Sequence, residues 1–208
     1  MGIKERKTRE REMRRQQILV AAKRVFTQKG YEKCTMEDIA REAELSPGTL
    51  YLYFKSKDEL YASLCLRVLR FINVKVDHVM SETTDYETKQ IGLLHAMKDV
   101  YAYDPLILNN MFHLQSSDTL RTLSPDLLDE INALSRKALH TMAAMFKEGI
   151  QDGRIVDRNP LALADIVWAF FSGIVLWEET KKVINPDRSN LEKSFEAAFD
   201  IFGRGIRK

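Results

Sequence analysis

The residues best equipped for chemistry lie between Thr35 and Lys57, TMEDIAREAELSPGTLYLYFKSK, and the chemistry they suit is contact with a polyanion. Thr49 offers a methyl group to a thymine and a hydroxyl to a phosphate, Gly48 permits close approach, and Lys57 supplies a cation at a helix start. Leu52 and Tyr53 add aliphatic and aromatic groups to the same outward surface. Leu52 and Tyr53 carry few hydrogen-bonding groups, and no Arg, Asn or Gln lies among residues 46–53. Contact there would lean on van der Waals packing and on the shape of the partner.

Other chemistries have no foothold. There is no Walker-type loop, GxSxG, HExxH or CxxC. His78, His95, His113 and His140 are scattered without metal-like pairing, and Glu178-Glu179 are adjacent and so point different ways on a helix. No cofactor, metal or catalytic residue is expected. Cys34 and Cys65 read as two reduced thiols. The opening MGIKERKTREREMRRQQ lacks an apolar core, unlike a signal peptide, which points to the cytoplasm.

The elements that must position residues 46–57 follow from local signals. Thr35 with Asp38 three residues on can cap a helix, and Ile39, Ala40 and Ala43 give it an apolar face. Glu44-Leu45 makes a turn; Ser46 then suits an N-cap and Pro47 the first helical position. Leu50 and Phe54, four apart, point inward, leaving Thr49, Leu52, Tyr53 and Lys57 outward. Two short helices joined by a tight turn read as helix-turn-helix. Ahead of them, Ile18, Ala22, Val25 and Phe26 form a helical stripe that Gly30 stops.

Phe26 through Gly30-Tyr31, then Thr35-Met36-x-x-Ile39-Ala40-x-x-Ala43, then Ser46-Pro47-Gly48-Thr49-Leu50-Tyr51-x-Tyr53-Phe54-x-x-Lys57-x-x-Leu60 agree at fixed spacing with one family. Residues 14–64 resemble the DNA-binding domain of the TetR (tetracycline repressor) family of bacterial transcription regulators. The resemblance implies that Ser46, Pro47, Gly48, Thr49, Tyr51, Leu52, Tyr53 and Lys57 touch double-stranded DNA, with Thr35 at a phosphate. It also implies a homodimer on an inverted-repeat operator and a small-molecule effector bound in the rest of the chain.

Charge divides the chain the same way. Residues 1–57 carry 14 Lys/Arg against 8 Asp/Glu (+6), and residues 58–208 carry 18 against 22 (−4). A basic head on an acidic body places the polyanion at the head. The expected domains are 1–57, helix-turn-helix, and 58–208, a helical effector-binding and dimerisation domain. Arg6, Lys7, Arg9, Arg11, Arg14 and Arg15 fit either a solvated helix start or a basic arm along phosphates.

Beyond the head the apolar spacing is helical and no segment reads as a strand, so the fold expected is all-α. A long helix runs from Lys57 to about Met80, with Leu60, Leu64, Val68 and Phe71 on one face. SETTD (81–85) breaks the pattern, and Ile91, Leu94, Met97 and Tyr101 resume it. Asp104-Pro105 and Ser124-Pro125 begin further helices, the second ending at Gly149 and Gly153. LALADIVWAFFSGIVLW (161–177) is apolar all round yet short for a membrane span, which needs ~20 residues. No membrane partner is expected; the segment should be buried by its own core on one side and a second copy on the other. Ala169 and Gly173 would let that copy approach, and the stripe Leu191, Phe195, Phe199, Phe202 of the last helix (189–206) would complete the seam.

Tyr101, Met111, Phe112, Met142, Met145 and Trp168 are the candidate lining of an effector pocket against the long helix, suited to an apolar or amphipathic ligand. A ligand wedged there would act on that helix as a lever and change the spacing of the two heads. The reading is a ligand-responsive dimeric repressor. The alternatives are an activator or nucleoid-associated binder without effector, and, from another class, a helical small-molecule carrier or adaptor.

Overall fold

The computed structural model describes residues 2–82, 85–115, 120, 123–185 and 190–208; Thr83 and Thr84 of the polar break, Ser189 and the His113 side chain lie outside the described residues. Among those described the chain is all-α: α1 (Ile3–Lys33), α2 (Met36–Glu42), α3 (Pro47–Tyr51), α4 (Lys57–Glu82), α5 (Tyr86–Tyr103), α6 (Pro105–Gln115), α7 (Pro125–Gln151), α8 (Pro160–Ile184) and α9 (Leu191–Ile206). The chain falls into two compact units, Met1–Cys65 with Asp118–Leu128, and Leu66–Ser117 with Asp129–Lys208. α4 contributes residues to both.

In the first unit Ile18, Ala22, Val25 and Phe26 of α1 are buried with Ile39, Leu50, Phe54, Leu60 and Leu64. α1 kinks at Gly30, whose φ of 75° and ψ of 162° a side chain would strain. Beyond the kink Tyr31 meets the Tyr61 ring edge-on (centroids 5.0 Å apart), and Tyr61 meets Phe26 likewise (5.1 Å).

The second unit departs from the apolar pattern in three places. α5 turns Tyr86, Lys89, Leu93, Ala96, Met97 and Val100 inward, while Ile91 of the expected stripe is 57% exposed. Gly149 does not end α7 but lies inside it, and a Cβ there would come within 2.7 Å of the Tyr86 ring; Gly153, at φ 68°, follows the helix end. The stripe expected to form a seam on α9 is the third. Leu191, Phe195 and Phe199 are buried within the chain itself: Phe195 stacks on Phe171 (5.5 Å), and Phe199 meets Phe170 edge-on (5.0 Å). Phe202, half-buried, packs against Phe146 and Phe170. These rings close the core of their own unit, and the outward side of α9 carries Ala197, Ile201, Arg204 and Gly205.

α8 is 25 residues long, more than its apolar run, and by length and a mean hydropathy of 1.8 it would suffice to cross a membrane. Its inner side buries Leu163, Ala164, Val167, Phe171, Val175 and Glu178. Ile166, Ala169, Gly173 and Trp177 lie exposed on the other side. Glu178, with no exposure, accepts from the Asn190 N–H (3.1 Å) and the Ser194 hydroxyl at the start of α9 and pairs with Lys181. Burial pulls its pKa up, but those donors outweigh it and hold the carboxyl below its ordinary range.

Candidate nucleic-acid interface

Both short helices carry the caps their sequence promises. The Thr35 hydroxyl accepts from the Asp38 N–H (3.1 Å), and Asp38 accepts in return from the Thr35 N–H (3.3 Å). The Lys29 ammonium lies 2.6 Å from Asp38 and, with these bonds, holds its carboxyl below the usual range. Ser46 Oγ accepts from the Thr49 N–H (3.1 Å) and lies 2.8 Å from Thr49 Oγ1. Capping uses lone pairs of Thr35, so its O–H remains free to donate to a phosphate oxygen.

The turn between α2 and α3 passes through Glu44 at φ 55°, a left-handed conformation that costs a side-chain-bearing residue about 1 kcal/mol relative to glycine. Glu44→Gly is therefore expected to stabilise the chain by less than about 1 kcal/mol, because glycine also has more freedom to lose on folding. A rise of roughly 1–3 °C in the thermal midpoint would report it. A fall would mean that the Glu44 side chain contributes more than its conformation costs.

Leu50 and Phe54 are fully buried, whereas Tyr51 is 41% and Leu52 69% exposed. Ser46, Pro47 and Gly48 are exposed, and Thr49 and Tyr53 half-buried. The structure thus gathers Ser46, Pro47, Gly48, Tyr51 and Leu52 on the exposed side of α3 and its ends, with Thr49 and Tyr53 at the edge. Lys57 behaves differently. Its ammonium turns back to donate to the carbonyls of Tyr31 (2.8 Å) and Glu32 (3.5 Å) and sits over the Tyr31 ring. The Tyr31 hydroxyl in turn donates to Asp58, and burial together with that carboxylate pushes its pKa well above the ordinary tyrosine range.

One positioning residue was hidden among the cations of the basic arm. The Arg15 guanidinium donates to the Tyr53 carbonyl (3.2 Å) and to Ser63 Oγ (3.1 Å) and lies over the Phe54 ring (4.2 Å). It ties α1 to the end of the α3 turn and to α4. Its sequence signal was only a charge; the carbonyl it serves carries none.

Of the candidate effector residues, Met111, Phe112, Met142 and Met145 are buried and Trp168 half-buried. Phe112 meets Trp168 edge-on (5.7 Å), and both rings adjoin Phe171. Tyr101 is held in a polar triad, donating to Glu179 (2.6 Å) and accepting from Lys182 (2.6 Å). A cleft of about 240 Å³ between α5 and α9 is bordered by Ile91, Leu94, Phe199 and Arg207 and includes none of the six.

A short, doubly anchored helix with exposed Tyr51 and Leu52, on an all-α chain with a larger helical unit, defines a helix-turn-helix transcription regulator. The chain belongs to the TetR family: residues 18–64 match the bacterial regulatory proteins of the tetR family, and residues 81–208 match the QacR-like protein C-terminal region. It is 25% identical over 191 residues to a fatty acid metabolism regulator protein of Bacillus subtilis (strain 168), covering 91% of this chain and 94% of that one. The fold is shared with the TetR family regulator PfmR of Thermus thermophilus, with TM-score 0.73, 22% identity and 92% and 99% of the two chains covered. It is also shared with the regulator FadR of Bacillus subtilis in complex with stearoyl-CoA, with TM-score 0.69, 22% identity and 92% and 99% covered. The chain is accordingly a transcriptional regulator and not an enzyme.

Proposed function

We propose that this regulator is a cytoplasmic homodimeric repressor that places α3 of each protomer in successive major grooves of an inverted-repeat operator and releases it on binding an apolar or amphipathic small molecule. The observation that carries the reading is the exposed 46–53 surface, capped by Ser46 and fastened from behind by Arg15. Thr35, Ser46, Pro47, Gly48, Thr49, Tyr51, Leu52 and Tyr53 are the contacting residues. Lys57 has a structural task at the Tyr31 and Glu32 carbonyls and offers DNA at most its remaining proton. The dimer forms through the exposed α8 and α9 face of Ile166, Ala169, Gly173, Trp177 and Ile201. The effector occupies the neighbourhood of Phe112, Trp168, Met111, Met142 and Met145. The acyl-CoA held by the similar FadR structure supports a ligand with a long apolar portion.

Tyr51→Ala tests the head. On the DNA upstream of the protein's own gene, searched for an inverted repeat, the variant is expected to bind about tenfold or more weakly with helicity and assembly unchanged, the loss of ~1–3 kcal/mol usual for one base-reading contact. Equal affinity in a gel shift would remove α3 from the interface. For the effector, acyl-chain compounds that raise the thermal midpoint should lower operator affinity by roughly 5–150-fold.

A further inference from the structure

We propose that the first four turns of α1 form a phosphate-binding helix that lies along duplex DNA beside the bases α3 faces; this rests on the DNA-binding reading above. From Lys4 to Gln17 every side chain is exposed except Arg15, which is half-buried, so tertiary packing does not account for this length of helix. What does hold it is local: Gly2 N–H to Glu5 (3.0 Å), Arg6 to Glu10 (2.8 Å) and Gln16 to Glu12 (2.8 Å).

The charges sort by face. Lys4, Lys7, Arg11 and Arg14 stand at i, i+3, i+7 and i+10, one side of the helix, spanning about 15 Å. Glu5 and Glu12 project away from that side, as do Arg6 and Arg9, while Glu10, three residues after Lys7 and four before Arg14, stands at the edge of the stripe and pairs with Arg6 (2.8 Å). None of the four stripe cations has an ion pair among the described residues; Arg14 borders a groove with Glu42 and Glu44, but Glu42 is bonded by Arg24 (3.3 Å). Like charges three and four residues apart destabilise a helix. Glu10 relieves part of that cost at Lys7 and Arg14, and a polyanion along the stripe would relieve the rest.

Arg15 fixes where the stripe points. It follows Arg11 by one turn on the same side, and its guanidinium is bound to the Tyr53 carbonyl and stacked on Phe54. The stripe is therefore continuous with the side of α1 that meets the end of the α3 turn. A duplex presents one charge per ~1.7 Å of its axis, ample for four cations in this span.

Two double variants of equal charge, Lys7→Gln/Arg11→Gln on the stripe and Arg6→Gln/Arg9→Gln opposite it, test the assignment in the full chain. Glutamine keeps a comparable helix propensity at exposed positions, and circular dichroism would confirm the fold. The probe is a duplex of about 30 base pairs of arbitrary sequence, titrated by fluorescence anisotropy between about 50 and 200 mM salt. The stripe variant is expected to bind roughly tenfold or more weakly and to shallow the slope of log K against log salt by about 2 per head, the opposite variant to leave the slope near wild type. Equal losses in both would mean bulk charge and overturn the proposal. So would an unchanged slope in the stripe variant, or a loss seen on anionic phospholipid vesicles and not on DNA. A wild-type chain that binds no duplex at any salt would overturn both this inference and the DNA-binding reading.

Discussion

Replacing Ile201 by glutamate is expected to turn the proposed dimer into a monomer. Ile201 is 69% exposed on the outward side of α9, level with the small residues Ala197 and Gly205, and has no task in its own unit's core. On the proposed seam it would be desolvated against the partner's α8 and α9, and a carboxylate there would lose hydration without gaining a cation, at about 3 kcal/mol or more. Two-fold symmetry repeats the penalty. The dissociation constant should rise at least ~100-fold, moving sedimentation to the monomer with circular dichroism unchanged. Operator binding should fall with it, since one head engages only half of an inverted repeat. A variant that sediments as the wild-type dimer would place the seam elsewhere, and a monomeric wild type would remove it.

Phe195→Ala should do the opposite, lowering stability and sparing association. Phe195 is fully buried and stacked on Phe171, which adjoins Phe112 and Trp168, so truncation opens a void in the aromatic core of the second unit. Such losses cost about 3–5 kcal/mol, or roughly 10 °C in thermal midpoint for a chain of this size. Below the transition the variant should still sediment as wild type. A shift to monomer at unchanged midpoint would put Phe195 back at the seam.

The contrast between these residues marks where sequence reasoning runs out. The head was legible almost residue by residue, because caps such as Thr35-Asp38 and Ser46-Thr49 and spacings such as Leu50-Phe54 act over one turn of chain. In α9 the same spacing rule admits two stripes, Leu191-Phe195-Phe199 and Ala197-Ile201 with Gly205. Which of them faces inward depends on Phe171 and Phe170, which lie on another helix. Gly149 misled for the same reason: it reads as a stop, yet it makes room for the Tyr86 ring. Arg15 and Lys57 were legible as cations, but their partners are backbone carbonyls, which no composition reveals.

The fastenings of the head bear on how such regulators could be recombined. Arg15 reaches Ser63, Tyr31 reaches Asp58, and the Phe26 and Tyr31 rings close on Tyr61; all three partners lie beyond Lys57 on the first turns of α4. A chimera spliced at residue 57 would give the transplanted head a foreign set of anchors and leave Arg15 and Tyr31 to whatever the recipient happens to offer. A splice just after Cys65 would carry every one of these contacts across, so that the operator specificity of one regulator could be joined to the sensing body of another at a point inside a continuous helix.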